Sequence, residues 1–539
     1  MTFRLRMAAW LGALAGSLLY ADSYVRQPGA DVQHYVFRIA LSDTTDEIFG
    51  ETTITVRFVE DGIAEFTLDL ASAAKGKGMS VTGVAAGNAP ARYTHRGDRL
   101  AIEVVPASKA GELREFTVKY HGVPAGGLRI GANLYGERTF FSDNWPDQAR
   151  QWLPTVDHPY DKASSEFIVT APAKYQVIAN GRLEETIDLG GDEDLRVTHW
   201  KESAPIAAWL NCIGVARFDS RGFGMAAGTP LETWVFPKDR EEGALTFEEP
   251  ERQAMEFFAE RIGPYPYEKL AAVQAAGQDG GMEYASAIFF GEKRVTGSPA
   301  SELVWHEAAH QWFGDSVTEK DWDDVWLSEG FATYFALLAV EHFEGRDAFV
   351  AGLKRSRDTI FRTELRLPGV AVVQNHPWTG IPNPIVYQKG GWVLHMLRGY
   401  LGTPVFWRGI REYYHRYRDS NASTADLRKV MEDVSGKDLA WFFKQWLYHA
   451  GSPVLEGDWR YNATSKKIEI DLAQVQPGEV YRLPLEVAVR GAGHGPEAIA
   501  RIEMTAQRQR FEIAAESEPA AVQLDPHTWA LMDANFTKR

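Results

Sequence analysis

The chain contains 539 residues, of which 45% are hydrophobic and 12% aromatic. It is long enough to bury a large core and too long for one domain, so we expect two to four domains. The formal net charge of −16 at pH 7 argues against nucleic acid or an anionic membrane surface as the main partner. Because Cys212 is the single cysteine, an intrachain disulfide and a thiolate metal cluster are excluded.

The first residues have the pattern of a secretion signal. Arg4 and Arg6 precede an apolar stretch over residues 7–20, which has the length of a signal-peptide core and is short for a membrane span. We therefore predict that residues 1–22 are a signal peptide or an uncleaved N-terminal anchor. The protein is then exported to the periplasm or the extracellular space, or stays anchored. No membrane contact beyond this anchor is expected.

Short segments that alternate between polar and apolar residues follow this stretch. Examples are residues 34–41, 52–58 and 116–120, and such segments are separated by Gly, Asp and Pro residues. Alternation with a period of two is typical of β-strands that bury one face. Residues 23–225 are therefore predicted to form an all-β N-terminal domain.

The next region has the longer period of helices. The predicted helices cover residues 249–262, 299–313, 328–343, 385–400, 404–418, 424–435 and 438–448. Strand-like alternation then returns in residues 467–472, 481–489, 500–504 and 510–513. The predicted fold class is multidomain α+β, with a mainly helical domain over residues 226–450 and a small C-terminal β-sandwich over residues 451–539.

The motif HEAAH at residues 306–310 lies in one of these predicted helices. Ser298 and Pro299 offer an N-cap and a proline in the first helical position, and Gly314 can end the helix. Histidines four residues apart lie one turn above each other on one face, where both can bind one ion. His306 and His310 are therefore candidate metal ligands.

A third ligand and a base complete this motif. Glu329 follows in the first turn of the next predicted helix. Two histidines and one glutamate leave the fourth tetrahedral position of zinc open for water, which is the arrangement of a catalytic zinc site. Glu307 points off the axis of the two histidines and is close enough to accept a proton from that water. The sequence therefore predicts one catalytic Zn²⁺ per chain.

Several motifs in the same order resemble those of the M1 (gluzincin) aminopeptidases, a family that includes aminopeptidase N and leukotriene A4 hydrolase. The zinc signature of that family is similar to residues 306–310 together with the stretch WLSEGFA around Glu329. Its exopeptidase motif resembles GGMEY at residues 280–284, and the context of its catalytic tyrosine resembles YQKG at residues 387–390. The resemblance extends over most of the chain.

This resemblance implies a three-domain zinc aminopeptidase whose central domain is similar to thermolysin. It assigns Tyr387 to stabilising the oxyanion and Glu283 to binding the protonated N-terminus of the substrate. Gly281 and Met282 become expected substrate contacts, because a glycine pair lets peptide backbone approach closely. The implied partners are peptides with a free N-terminus.

The sequence departs from the family pattern in three places. Tyr284 stands where the family usually has asparagine, which bears on the hydrogen bonds around Glu283. Residues 141–150 align poorly with the family strand that supplies a further Gln or Glu for the substrate amine, and within residues 142–145 Asp143 and Asn144 are the candidates for that role. The large C-terminal helical domain of many members is expected to be absent, which would leave a more open cleft.

Two other functions compete with the aminopeptidase. A thermolysin-type zinc endopeptidase is disfavoured because residues 281–283 would have no role in it. A non-catalytic peptide-binding scaffold on the same fold is disfavoured because the three ligands and the base are all retained. An epoxide hydrolase side activity, like that of leukotriene A4 hydrolase, stays open. The sequence does not reveal which N-terminal residue is preferred.

Overall fold

The structure is a computed structural model of the 539-residue chain, and it describes residues 22–190, 194–373, 384–491 and 497–539. The predicted signal segment, apart from its last residue, lies outside the described residues. Within the described ranges, none of the helices combines the length and the apolar character that a membrane crossing needs.

The N-terminal region is built from fifteen strands among the described residues. The strands are β1 (Ala30–Ala40), β2 (Ile48–Phe58), β3 (Glu65–Asp69), β4 (Gly78–Ala86), β5 (Ala89–Pro90), β6 (Tyr93–Arg96), β7 (Arg99–Glu103), β8 (Leu113–Val123), β9 (Gly127–Ala132), β10 (Arg138–Asp143), β11 (Lys162–Pro172), β12 (Gln176–Ala179), β13 (Arg182–Gly190), β14 (Leu195–Ala207) and β15 (Ile213–Ala216). They form an eight-stranded sheet ordered β13-β14-β11-β1-β2-β8-β4-β5, a four-stranded sheet ordered β12-β15-β10-β9 and a three-stranded sheet ordered β3-β7-β6. In β2 and β11 every second residue is buried, so the period-two pattern reflects one face turned to the core.

The central region combines helices with a five-stranded sheet. The strands are β16 (Asp219–Ala226), β17 (Thr229–Val235), β18 (Leu270–Ala275), β19 (Gly281–Met282) and β20 (Ala287–Gly291), in the order β16-β17-β18-β20-β19. β16, which the sequence placed in the N-terminal domain, pairs with β17 in this sheet. All residues of β18 and β20 are buried, which is typical of parallel strands covered on both faces.

Eight α-helices among the described residues surround this sheet or follow it. They are α1 (Arg240–Arg261), α2 (Ser301–His310), α3 (Trp326–Phe343), α4 (Arg346–Arg366), α5 (Gly390–Leu401), α6 (Thr403–Tyr417), α7 (Thr424–Ser435) and α8 (Ala440–Leu447). Two short strands, β21 (Val317–Glu319) and β22 (Ser420–Ala422), pair in parallel. A π-helical turn, Ile385–Lys389, leads directly into α5. Single π turns inside helices are rare and are frequent at functional sites.

The C-terminal region is a sandwich of two small sheets. Its strands are β23 (Val454–Asn462), β24 (Lys467–Gln474), β25 (Leu483–Arg490), β26 (Ala498–Met504), β27 (Arg508–Ala514), β28 (Ala521–Leu524) and β29 (Asp533–Lys538). One sheet has the order β27-β24-β23-β29 and the other has the order β26-β25-β28. The predicted order of regions, a β-domain followed by a mainly helical domain and a β-sandwich, is therefore the order found.

A partly buried lysine connects the N-terminal sheet to the chain that follows α2. Lys162 begins β11, and its Nζ donates hydrogen bonds to the carbonyl oxygens of Asp315 at 2.9 Å and Ser316 at 2.7 Å. A third carbonyl oxygen, that of Ser420, lies 3.4 Å away. Burial lowers the pKa of Lys162 to about 7. The N-terminal region thus contacts the chain a few residues beyond His310.

Candidate active site

Helix α2 carries the HEAAH motif, and it begins later than the sequence indicated. It starts at Ser301, and Ser298 does not cap it. The hydroxyl of Thr246 on α1 instead accepts hydrogen bonds from the backbone N–H groups of Thr296 and Gly297, at 3.2 and 3.1 Å. The approach to α2 is therefore fixed by a tertiary contact rather than by a local cap.

Three candidate ligand atoms converge at the junction of α2 and α3. The Nε2 atoms of His306 and His310 lie 3.3 Å apart. Glu329 Oε2 lies 3.4 Å from Nε2 of His310 and 3.5 Å from Nε2 of His306. Ligand atoms that surround one tetrahedral zinc ion at its usual bond lengths stand about 3.3–3.6 Å from one another. The spacing of the three atoms therefore fits one zinc ion.

The chemistry of this donor set supports the same fit. Glu329 Oε2 is buried and, within the part of the chain that the structure describes, has no hydrogen-bond partner. The other ring nitrogen of His310, Nδ1, lies 2.9 Å from the hydroxyl oxygen of Ser328. Such an outer hydrogen bond fixes the orientation of the ring and leaves Nε2 free to bind a metal. Gly314 makes room for this contact, since a Cβ there would lie 2.2 Å from Ser328 Oγ.

Glu307 lies on α2 between the two histidines and faces the strand β19. Its side chain is buried, and burial together with the nearby Glu283 raises its pKa. Gly281 packs directly against the carboxyl group. A Cβ on Gly281 would lie 2.3 Å from Cδ and from Oε1 of Glu307. The absence of a side chain at Gly281 therefore provides the space in which the Glu307 carboxylate lies.

Glu283 brings a second carboxylate next to the candidate metal site. Oxygen atoms of Glu283 and Glu307 and a ring nitrogen of His310 all lie within 4.8 Å of one another. Glu283 is buried, and burial is the main reason that its pKa is raised. Met282, one residue earlier in β19, is also buried and pairs with Phe289 of β20.

Gln311 ties the segment around Glu283 to the end of α2. Its Nε2 donates to the carbonyl oxygen of Glu283 at 3.1 Å and to Asp315 Oδ2 at 2.8 Å. Its Oε1 accepts a hydrogen bond from the backbone N–H of Ser286 at 2.8 Å. Because Gln311 directly follows His310, one buried side chain links the backbone of Glu283 to a candidate metal ligand.

Tyr387 reaches the site from the π-helical turn. Its ring lies nearly parallel to that of His306, with 6.3 Å between the ring centroids. Burial, and after it the negative charge of Glu329, raise the pKa of Tyr387 well above its usual range. The hydroxyl therefore keeps its proton at neutral pH and can act as a hydrogen-bond donor.

Two glycines allow this approach. A Cβ on Gly330 would lie 3.0 Å from the Cα of Gly390, and a Cβ on Gly390 would lie 3.1 Å from the Cα of Gly330. The backbones of α3 and α5 are thus almost in contact next to Glu329. This close packing brings Tyr387 and Glu329 to the same side of the metal site.

Comparison with known proteins identifies the family. The Peptidase family M1 domain matches residues 248–446, and the Peptidase M1 N-terminal domain matches residues 32–210. The chain belongs to the M1 peptidase family. The family predicted from the sequence motifs is therefore confirmed.

Curated relatives of the M1 family are longer than this chain. Glutamyl aminopeptidase from Homo sapiens is 28% identical over 362 residues, and glutamyl aminopeptidase from Bitis rhinoceros is 29% identical over 356 residues. Each match covers 61% of this chain and 36% of the relative. The chain thus spans about a third of the length of these relatives.

The solved structure of an M1 zinc metallopeptidase from Deinococcus radiodurans is similar in fold, with a TM-score of 0.66 and 24% sequence identity. The similarity covers 78% of this chain and 93% of that one. The predicted fold is confirmed by this likeness, since it extends over almost the whole of the solved chain.

Tyr284, the departure from the M1 motif, is a core residue. It is fully buried, and its hydroxyl accepts a hydrogen bond from the backbone N–H of Asn144 at 3.0 Å. The side chain of Asn144 is bonded on both sides, since Nδ2 donates to the carbonyl oxygen of Asn211 at 2.6 Å and Oδ1 accepts from Trp152 at 2.8 Å. Asp143 pairs with Arg129 at 2.7 Å. Both candidates within residues 142–145 are thus engaged in other contacts.

The structure brings the predicted site residues of this M1 peptidase together at one place. They are His306, Glu307, His310, Glu329, Glu283, Gly281, Met282 and Tyr387. The sequence analysis missed Ser328, Gln311 and Lys389, although each stands next to, or two residues from, a predicted site residue. The sequence feature that could have identified these three residues is that they are polar and occupy positions that the helical pattern places in the core.

Proposed function

We propose that this protein is a zinc-dependent aminopeptidase that hydrolyses the N-terminal peptide bond of peptides. The observation that carries the proposal is the closeness of Glu283 to Glu307 and His310, within 4.8 Å. A buried carboxylate beside the candidate metal site and the base can hold a substrate by its N-terminal ammonium group. Membership of the M1 family supports the same activity.

His306, His310 and Glu329 would hold the zinc ion, which when bound acts as a Lewis acid on water and on the scissile carbonyl. The protein groups around it then have distinct tasks. Glu307 accepts the proton of the attacking water as the new carbon–oxygen bond forms. It passes this proton to the amine nitrogen as the carbon–nitrogen bond breaks. Burial, which raises its pKa, suits a carboxylate that must both accept and release a proton.

Tyr387 acts on the carbonyl oxygen of the substrate. Attack on the carbonyl builds negative charge on that oxygen, and a neutral hydroxyl donor placed beside it lowers the barrier. The raised pKa of Tyr387 keeps the hydroxyl protonated. Because the charge exists only near the transition state, the contact favours the reaction rather than substrate binding.

Glu283 sets the register of cleavage. Its buried carboxylate pairs with the α-ammonium of a free N-terminus and so places the first peptide bond beside Glu307. A blocked N-terminus leaves that carboxylate buried and unpaired, at a cost of a few kcal/mol. Cleavage therefore proceeds stepwise from the N-terminus.

Space for the rest of the peptide adjoins the other side chains of the site. A cavity of about 380 Å³ is lined by His306, Tyr387, Leu303, Leu337 and Arg355, among others, and its lining includes neither Glu283 nor Met282. This cavity lies between α2, α3 and α4. We assign it to the part of the substrate beyond the scissile bond.

The direct test compares an unblocked peptide with its N-acetylated twin, in wild type and in Glu283→Ala, with products followed by mass spectrometry. Wild type is expected to release single N-terminal residues from the unblocked peptide only. Glu283→Ala should lose most of this activity. Efficient internal cleavage of the acetylated peptide by wild type would instead favour the thermolysin-type endopeptidase.

Metal dependence is tested on the same enzyme. Treatment with a chelator should abolish turnover, and one equivalent of zinc per chain should restore it, because two imidazoles and one carboxylate suit Zn²⁺ better than hard cations. Full activity in protein shown by elemental analysis to be metal-free would refute the proposal. Zinc bound without any turnover of peptides would favour the non-catalytic scaffold.

We further propose that the protein is exported. Arg4 and Arg6 before the apolar residues 7–20 support a signal peptide or an N-terminal anchor. Fractionation of producing cells should find the protein outside the cytoplasm. N-terminal sequencing of that material separates the two forms, because a cleaved signal removes the arginines and an anchor retains them.

A further inference from the structure

Lys389 is a buried cation that lies two residues after Tyr387, in the same π-helical turn. Its side chain is completely buried. The Nζ atom donates to Glu364 Oε1 on α4 at 3.0 Å and to the carbonyl oxygen of Gly451 at 2.6 Å. The proposed mechanism gives this ammonium group no task, although it lies close in sequence to the residue proposed to stabilise the oxyanion.

Tyr387 and Lys389 point in opposite directions from the turn. Residues two apart on a helix lie on roughly opposite sides of its axis. Tyr387 faces His306, and Lys389 faces α4 and the start of the C-terminal sandwich. A displacement of the Lys389 side chain therefore also displaces Tyr387, because both residues belong to one short turn.

The contacts of Lys389 are held in place by their own neighbours. Ser452 Oγ donates to Glu364 Oε1 at 2.9 Å. The hydroxyl of Tyr481, just before β25, donates to the carbonyl oxygen of Gly451 at 2.7 Å. The network thus joins the π turn, α4 and the segment through which the chain enters the sandwich.

Stability alone does not account for such a group. Burying an ion pair costs desolvation energy, and replacing the pair with well-packed apolar side chains is often neutral or stabilising. What the pair supplies is a fixed distance and direction. At the end of the turn, the contact between Gly330 and Gly390 fixes the separation from α3. Between them, the two contacts determine where the turn lies.

We propose that Lys389 is a positioning residue for Tyr387, and that the C-terminal sandwich contributes to catalysis through the Gly451 carbonyl that this lysine binds. The inference rests on the proposed aminopeptidase function. Loss of the ammonium group frees the turn from α4 and the sandwich, and the hydroxyl of Tyr387 then no longer stays beside the scissile carbonyl. The ligand set and Glu283 lie on other elements and keep their places.

The test uses Lys389→Met in the full-length zinc enzyme, with Arg398→Met as the matched control. Arg398 lies on α5, forms an ion pair with Glu341 of α3 at 2.6 Å and lies over the ring of Trp529 in the C-terminal region. Arg398→Met therefore controls for the loss of an ion pair whose partners lie outside the π-helical turn. Lys389→Met should lower kcat about tenfold to a hundredfold with KM nearly unchanged, since small displacements of a catalytic group have effects of this size. Arg398→Met should alter stability more than kcat.

A double-mutant cycle separates positioning from general damage. In a Tyr387→Phe background, Lys389→Met should change kcat by less than about twofold, because the hydroxyl that it positions is already gone. The affinity for a phosphinic dipeptide, measured by calorimetry, should fall with Lys389→Met in wild type and not in Tyr387→Phe. Equal losses of kcat in both backgrounds would overturn the inference, as would an unchanged kcat.

If Lys389→Met fails to fold, Glu364→Gln and Ser452→Ala serve as milder variants in the same cycle. They should show the same dependence on Tyr387, with smaller effects, and additive losses would again reject the inference. Failure of the proposed function is distinguishable, because wild type would then turn over no peptide. Turnover by wild type that Lys389→Met leaves intact rejects the positioning role alone.

Discussion

A Cβ atom on Gly281 would lie 2.3 Å from the Cδ of Glu307. The strand that precedes Glu283 and the helix that carries the metal ligands therefore meet at a glycine and a carboxylate. The position of Glu307, the proposed general base, depends on the absence of a side chain at Gly281.

The first prediction follows from this contact. Gly281→Ala should lower kcat by at least about a hundredfold, because the new methyl group must push the Glu307 carboxylate away from its place. The end of a glutamate side chain moves easily, so zinc content and melting temperature should stay close to wild type. Gly280→Ala is the matched control, since a Cβ there meets nothing within 4 Å. Equal activity of the two variants would show that Glu307 tolerates displacement.

The second prediction separates the base from the ligands. Glu307→Gln should abolish turnover and retain one zinc per chain, because the change removes the proton acceptor and no ligand atom. Zinc content is measured by elemental analysis of the same sample that is assayed. A variant that lost its zinc would show instead that Glu307 belongs to the ligand set.

The third prediction concerns Ser328, whose hydroxyl lies 2.9 Å from Nδ1 of His310. Ser328→Ala should weaken zinc binding about tenfold to a hundredfold, because outer hydrogen bonds of this kind orient the ligand ring. Competition with a chelator of known affinity measures the change. Ser356→Ala is the control, since its hydroxyl is buried and has no partner among the described residues. Similar zinc affinities in both variants would refute the role of Ser328.

The fourth prediction concerns Tyr387. Tyr387→Phe should lower kcat about 10²–10³-fold with little change in KM, because a donor to the oxyanion acts in the transition state. Steady-state kinetics with an unblocked peptide measure both constants. An effect below about fivefold would point to another donor.

The metal ligands could be predicted from the sequence because their geometry is local. Two histidines four residues apart must share a face of any helix that contains them. The start of that helix could not be predicted in the same way. Ser298 and Pro299 have the pattern of a cap, yet Thr246 on another helix fixes this segment instead. A favourable local signal was overridden by a tertiary contact.

Buried parallel strands were missed for a different reason. β18 and β20 are apolar except for Gln274 and have no alternation, because both of their faces are covered. The helix α4 was missed as well, since it is rich in charged residues and buries only a narrow stripe that includes Phe349, Leu353 and Ile360. The polar and apolar pattern of these three elements depends on what packs against them in the fold, so the sequence alone did not identify them.

The π-helical turn was predicted as ordinary helix within residues 385–400. The turn ends beside the close approach of Gly330 and Gly390, which are 60 positions apart in the chain. The roles of Ser328, Gln311 and Lys389 were missed for the same reason, because their partners lie on other elements. Local spacing and the family resemblance identified the groups proposed for the chemistry, and only the fold showed what orients them.

The hydrogen bonds from Lys162 to three carbonyl oxygens limit where the chain can be truncated. Two of them belong to residues 315 and 316, five and six positions beyond His310, and the ammonium group comes from the N-terminal sheet. A fragment limited to the peptidase match at residues 248–446 would lack Lys162. These carbonyl oxygens would then lose their donor, and the chain after α2 would be exposed to solvent. A fragment that keeps these hydrogen bonds must therefore include β11, which lies outside the peptidase match.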